Sequence, residues 1–150
     1  MALVLFGGCA RFDFPDAVER IAFARGCETR QVTLLEDRRG TYEESGCGAA
    51  MVYECRSGRC SPTEHQRESG EPSSVVTRAR AHLEALRQPV LECTDGDGAD
   101  VQIRFDRGGH PAEIHVRAQS QEQADCVRAL VRSVEIDPGE RLLLAWSTPG

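Results

Sequence analysis

The sequence predicts an α+β fold of two small units, α-β-β-β followed by α-β-β-β-α-β, with antiparallel sheets and helices packed on one face. Three observations carry this. Glycine-rich turns separate short β-forming runs, apolar residues at helical spacing precede each set of runs, and a polar stretch divides the 150-residue chain near its middle.

In chain order, residues 1–12 hold an apolar run that ends in Gly7-Gly8-Cys9. The first unit spans residues 13–60. It opens with a helix from Asp13 to Gly26, with Pro15 and acids early, Phe14, Val18, Ile21 and Ala22 on one face and a terminal glycine. Cys27 then leads into a meander of Gln31–Asp37, Thr41–Glu44 and Met51–Cys55, turned at Arg38-Arg39-Gly40 and at Ser45-Gly46-Cys47-Gly48. Residues 61–72 are polar and lack apolar periodicity, which reads as a linker.

The second unit spans residues 73–150. Ser73-Ser74 is a natural N-cap, Val76, Ala79, Leu83 and Leu86 share a helical face, and Gln88-Pro89 is expected to stop that helix. Val90–Cys93 reads as a short strand and Thr94–Gly98 as a turn. Val101, Ile103 and Phe105 alternate with polar residues, as do Ala112, Ile114, Val116 and Ala118 after the turn at Arg107–Pro111, so this hairpin has one apolar face. Ser120-Gln-Glu-Gln123 is a capping box for a helix with Ala124, Val127, Leu130, Val131 and Val134 inward. Asp137-Pro-Gly139 breaks it, and Leu142–Trp146 is the closing strand.

The formal charge is −6, and all eighteen basic residues are arginines scattered among acids. Neutralising phosphates needs a clustered cationic face, so nucleic acid is not an expected partner. Seven cysteines in a chain this short make compartment the first question. With Cys9 set aside, Cys27, Cys47, Cys55, Cys60, Cys93 and Cys126 form an even set with fifteen possible pairings. Locality favours Cys55 with Cys60, Cys27 with Cys47, and Cys93 with Cys126. Two other readings stay open: a zinc site of Cys47, Cys55, Cys60 and His65, although no Cys-x-x-Cys knuckle is present, and free buried thiols in a cytosolic protein. Each histidine has a local explanation in a linker, turn or solvated face, so no nucleophile and base are paired and no catalytic residue is nominated. Thr94–Asp100 has the acids of a calcium loop but Asp100 where glycine is required, so it reads as a turn. Trp146 and Phe105 read as core.

Gly7-Gly8-Cys9 resembles the end of a bacterial lipoprotein signal, which implies lipidation of Cys9; the alternative is an N-terminal strand of a soluble protein. Gly26-Cys27, Gly46-Cys47-Gly48, Tyr53-Glu54-Cys55 and Cys60 resemble a cysteine motif of small myxobacterial lipoproteins. Val101–Trp146, with the Cys126-Val127 pair heading its helix, resembles the C-terminal domain of TonB and TolA in element order and in its glycine-centred hairpin. That family has no catalytic residues, and its order of elements implies a partner-binding edge at Leu142, Leu143, Leu144, Ala145 and Trp146. The alternative is that this edge pairs with the first unit inside the same molecule. The expectation is therefore a non-enzymatic, exported, lipid-anchored protein of the periplasm or outer membrane. It would bind or scaffold an envelope protein or peptide without cofactor or metal, meeting the membrane only through its lipid. The competing expectation is a cytosolic zinc- or thiol-dependent regulator.

Overall fold

A computed structural model describes residues 14–36, 41–48, 50–56, 59–63 and 73–149. Cys9 and His65 lie outside them, as do 64–72 of the expected linker. The described elements are α1 (Phe14–Arg25), a 3-10 turn (Thr29–Gln31), β1 (Thr33–Glu36), β2 (Thr41–Ser45), β3 (Met51–Arg56), β4 (Arg59–Pro62), α2 (Ser74–Glu84), α3 (Arg87–Cys93), β5 (Gly98–Phe105), β6 (Pro111–Arg117), α4 (Gln121–Val131) and β7 (Arg141–Pro149). The fold is α+β. Its strands join into one seven-stranded sheet, wholly antiparallel, in the order β4-β3-β2-β1-β7-β5-β6.

The two strand sets therefore meet at β1 and β7, where Leu34 faces Leu143, Leu35 faces Leu142 and Glu36 faces Arg141. An ion pair of 2.6 Å between Arg141 and the buried Glu36 reinforces that seam. A second tie crosses from β2 to α2, where the Ser73 amide donates to Glu43 Oε1 at 2.6 Å.

Side chains alternate across a strand, so neighbouring leucines serve opposite faces. Leu35, Leu142 and Leu144 point into a cluster with Ile103, Phe105, Val76, Leu83, Val90 and Val127, beneath α2, α3 and α4. Leu34 and Leu143 join Ala17, Val18, Ile21, Ala22, Tyr42 and Tyr53 beneath α1. Each unit's helices thus lie on one face of its own strands, and the two faces are opposite. Fully burying a side chain such as Phe105 or Leu144 stabilises by about 1.5–3 kcal/mol, and both are at 0% exposure.

Three sequence expectations are corrected. The first concerns Leu142–Trp146, expected either as a free edge or as paired with the first unit inside the same molecule. The whole run pairs with β5 from Phe105↔Leu142 to Val101↔Trp146, and Leu142 and Leu143 pair with β1, so there the second reading holds and the strand is interior. The second is Val90–Cys93, which is helical. Pro89 falls in the first turn of α3, where its missing N–H would have no intrahelical acceptor, so it opens a helix and does not end the chain's helical course. Thr94 closes α3, its hydroxyl donating to the Val90 carbonyl at 3.1 Å and accepting from the Gly98 amide at 2.9 Å. At α4 the Ser120 hydroxyl accepts from the Gln123 amide at 3.2 Å. The Gln123 side chain reaches across to the Thr94 carbonyl at 3.3 Å, tying the start of α4 to the end of α3. Ser61 and Pro62, expected in the linker, belong to β4 and pair with β3.

Candidate functional site

The six described cysteines form three disulfides, Cys27–Cys47, Cys55–Cys60 and Cys93–Cys126, the pairs that locality favours. Cys55 and Cys60 face each other across the β3–β4 pair, and Cys93 and Cys126 join α3 to α4. Three such bonds belong to an oxidising environment, extracellular or periplasmic. The zinc set is not assembled, because Cys47 bonds Cys27 and Cys55 bonds Cys60. Among the described residues no group of three His, Cys, Asp or Glu side chains stands where it would hold a metal ion. His115 contacts Glu113 at 2.7 Å and His110 contacts Glu135 at 3.5 Å, both on the surface, and His82 lies on the exposed face of α2. Asp95 and Asp97 are exposed in the turn that ends α3. No described helix is long and apolar enough to cross a membrane.

Among the described residues, one place in the sheet is incomplete. β7 pairs with β5 along its length, from Phe105↔Leu142 to Gly98↔Pro149, whereas its pairing with β1 stops at Leu143. The chain before Thr33 bends away in the 3-10 turn, which is held aside by Gln102 Nε2 donating to the Thr29 and Val32 carbonyls at 2.9 and 3.2 Å. Past β1, the Ala145 amide donates to the Thr33 hydroxyl at 3.0 Å. Main-chain groups alternate sides along a strand, so Ser147, two residues on, turns its N–H and C=O the same way, into a cleft of about 400 Å³.

The cleft has a floor, two walls and a closed head. Ala145, Trp146 and Ser147 form the floor. Arg30 and Asp100 stand on the α1 face, with Arg30 Nη1 at 3.7 Å from Asp100 Oδ2 and the Ser147 hydroxyl donating to Asp100 Oδ1 at 2.7 Å. On the opposite face stand Arg80 and Glu84, one helical turn apart on α2. The Trp146 indole donates to Glu84 Oε1 at 2.8 Å, and Arg87 grips both carboxylate oxygens at 2.9 Å. The hydrogen bonds from Trp146 and then Arg87 hold the Glu84 carboxyl below its ordinary range. Arg80 Nη2 lies 3.4 Å from the Thr33 hydroxyl, at the head.

Gln31 and Gly46 close that head. Gly46 has φ +107°, and a Cβ there would sit 2.4 Å from the Gln31 carbonyl oxygen, so the β2–β3 turn backs directly onto the 3-10 turn. The Cys27–Cys47 bond pins the same two segments from the next residue along. Behind them Arg25 pairs with Glu44 at 3.1 Å, Arg25 Nη2 donates to the Cys47 carbonyl at 2.9 Å, and the Cys47 amide donates to Glu44 Oε1 at 3.2 Å. Burial pushes the Glu44 carboxyl up, against the opposing pulls of Arg25 and the Cys47 amide. Burial likewise raises the Tyr53 phenol. The Glu44 side chain is at 0% exposure and Arg25 is largely covered, and the part of this pair is to fix the turn that walls the cleft.

Of the five residues expected as a partner-binding edge, Leu142, Leu143 and Leu144 are buried in the sheet, while Ala145 and Trp146 reach the cleft. Sequence reasoning missed Arg30, Gln31, Gly46, Arg80, Glu84, Asp100 and Ser147. Arg80 and Glu84 had a signal, since they lie four apart on the polar side of a helix; the others are joined only by the long-range β1–β7 and β5–β7 pairings. Among protein-family models, curated proteins and solved structures, none matches this chain.

Proposed function

We propose that the chain is a non-catalytic binding module of the bacterial envelope, lipid-anchored through Cys9, with the cleft beside Ser147 as its partner seat. The observation that carries the reading is the strand edge left uncovered where β1 stops short of β7, walled by charged side chains and closed by a disulfide-pinned turn. Exposed backbone donors and acceptors on a strand edge are a template for another chain. The oxidising environment that the disulfides require agrees with export, and Gly7-Gly8-Cys9 supplies the resemblance to a lipidation site.

The test uses a photo-reactive residue in place of the exposed Gln31 in the full chain, activated in intact envelopes. A discrete adduct is expected, and it is expected to disappear in Ser147→Pro, which removes the N–H that faces the cleft and the hydroxyl bond to Asp100 but leaves the β5-facing main-chain bonds, which come from neighbouring residues. An adduct that survives Ser147→Pro undiminished, or none at all, overturns the reading. Incorporation of labelled fatty acid that persists in Cys9→Ser overturns the anchor separately.

A further inference from the structure

We infer that the cleft takes the carboxy-terminal end of an extended peptide, its free carboxylate held by Arg80 with Arg30 beside it. This rests on the cleft being the partner seat and adds to it the class of ligand, a chain terminus.

The uncovered lane beside Trp146–Pro149 is in line with β1. A peptide lying in that lane completes the sheet locally, exchanging main-chain hydrogen bonds with Ser147, but it cannot continue past Thr33. There the lane is filled by Thr33 itself, by Gln31 and by Gly46, whose missing side chain already leaves no room against the Gln31 carbonyl. An internal segment would have to turn out of the lane at that point, whereas a terminus fits it.

Charge decides which terminus. A peptide that runs in the direction of β1, antiparallel to β7 like every other pair in this sheet, meets the head with its last residue. Two guanidinium groups stand there. Arg80 is placed by its approach to the Thr33 hydroxyl, and Arg30 by its ion pairs with Glu28 and, at 3.7 Å, with Asp100. Glu84 is held by Trp146 and Arg87, and Asp100, which accepts from the Ser147 hydroxyl, shares Arg30 with Glu28, so Arg80 is the guanidinium that meets the carboxylate. A peptide in the reverse direction would bring its ammonium group to the two arginines and be repelled. Guanidinium with carboxylate is the strong, geometrically specific form of charge-assisted hydrogen bond.

The experiment titrates the full, disulfide-intact chain with N-acetyl-Ala-Val-Ala-Val as the free acid, as the C-terminal amide, and with sodium acetate, following the Ser147 amide and the Trp146 indole by NMR. The free acid is expected to shift both signals saturably, and the amide to bind about tenfold or more weakly, the loss of one charge-assisted contact. In Arg80→Gln the difference between acid and amide is expected to shrink, with the remainder of the spectrum unchanged. Equal binding of acid and amide at Ser147 overturns the carboxylate while leaving the partner seat standing. Acetate binding as tightly as the peptide shows a simple anion site and overturns the peptide. If neither peptide form saturates at Ser147 the inference fails, and the cross-link from position 31 reports independently on whether the cleft seats a partner.

Discussion

The two halves of the sheet bury one face of antiparallel strands with different materials. Beneath α2, α3 and α4 the cover is aliphatic and aromatic, with Phe105, Ile103, Leu83, Val90, Leu142 and Leu144 all at 0% exposure. Beneath α1 the material is mixed, with Ile21 and Leu34 beside two tyrosines, the Arg25–Glu44 pair and two of the three disulfides. One helix cannot supply the apolar surface that three do, and small cores lean on crosslinks. The side that is poorer in apolar packing also frames the head of the cleft. The disulfide and the buried ion pair hold the Gly46 turn in place there, where packing alone gives little rigidity.

The sharpest way to break this comparison is to cut each core. Phe105→Ala is expected to cost about 3–5 kcal/mol and to lower protection from amide exchange throughout β5, β7 and β6, because the cavity opens in the centre of the larger cluster. Ile21→Ala is expected to cost about 2–4 kcal/mol and to lower protection chiefly in α1, β2 and β3. If the two variants lose protection in the same places, the sheet unfolds as a single unit and the contrast between halves has no energetic meaning.

Removing crosslinks tests the same point at a smaller cost. By chain entropy alone, Cys27→Ala with Cys47→Ala costs about 3 kcal/mol and Cys93→Ala with Cys126→Ala nearly ~4, from separations of 20 and 33 residues. The cheaper loss is expected to do more harm. Without Cys27–Cys47 the 3-10 turn and the Gly46 turn come apart, whereas α3 and α4 stay joined through Val90, Val127 and the Gln123–Thr94 bond. Near-ultraviolet circular dichroism, with amide exchange at Thr33 and Ala145, reads the difference. Greater loss at Thr33 in the Cys93/Cys126 variant would reverse the argument.

How much of this was legible in the sequence follows from range. The β5–β6 hairpin and α4 were legible because their periodicities are local, and the disulfide pairs followed from closeness along the chain. Leu142-Leu143-Leu144 carried a signal that was underused. A run of three apolar residues in a strand means both faces are covered, which a strand with one solvated face does not show. That run speaks of faces and not of edges, so pairing with the first unit stayed one of two readings, and the register with β1, over a hundred residues away in sequence, was out of reach. Val90–Cys93 was misread because a short apolar run fits strand and buried helix equally, and Pro89 was taken as a stop where it serves as a start. The cleft was illegible for the same reason as the seam: its walls come from the 3-10 turn, α2, β5 and β7, and only the fold brings them together.

The ion pair beneath α1 gives a pH signature opposite in sign to that of the lowered Glu84 carboxyl on the other face. The Glu44 carboxyl is raised by burial, so the folded protein holds that proton more tightly than the unfolded chain. Stability from this group is therefore greatest below its ordinary value near 4.5, falls as pH rises from there through the raised folded value, and is level above it. Arg25 opposes the rise. In Arg25→Ala the decline is expected to extend to higher pH, with a cost of about 2 kcal/mol at pH 8, the scale of a hydrogen bond to a charged group, and less at pH 4. Denaturant midpoints across pH check it. An equal loss at both pH values would mean that Arg25 acts by packing and not by charge.

The smallest effect lies in how each half treats a left-handed residue. At the head of the cleft that position is Gly46, with φ +107° and a carbonyl oxygen 2.4 Å from where a Cβ would be. In the larger half, α3 ends with Asp95 at φ 52°, followed by Gly96. The Gly96 amide donates to the Leu91 carbonyl at 2.8 Å and the Asp95 amide to that of Glu92 at 3.4 Å, a helix end that favours glycine in the place of Asp95. Asp95 is exposed, so its replacement disturbs no packing. Relief of the left-handed penalty is offset in part by the greater freedom glycine gives the unfolded chain, and Asp95→Gly is expected to stabilise by about 0.5 kcal/mol, roughly 1–2 °C in Tm. Gly46→Ala moves the other way and further, since the Gln31 carbonyl must shift before a methyl group fits, and that shift pulls on the turn that closes the cleft. A gain in Tm for Asp95→Gly with a loss for Gly46→Ala, each read by thermal denaturation, separates a tolerated strain from a required one; a loss in both would mean that the Asp95 carboxylate does something at the end of α3 that its exposed position conceals.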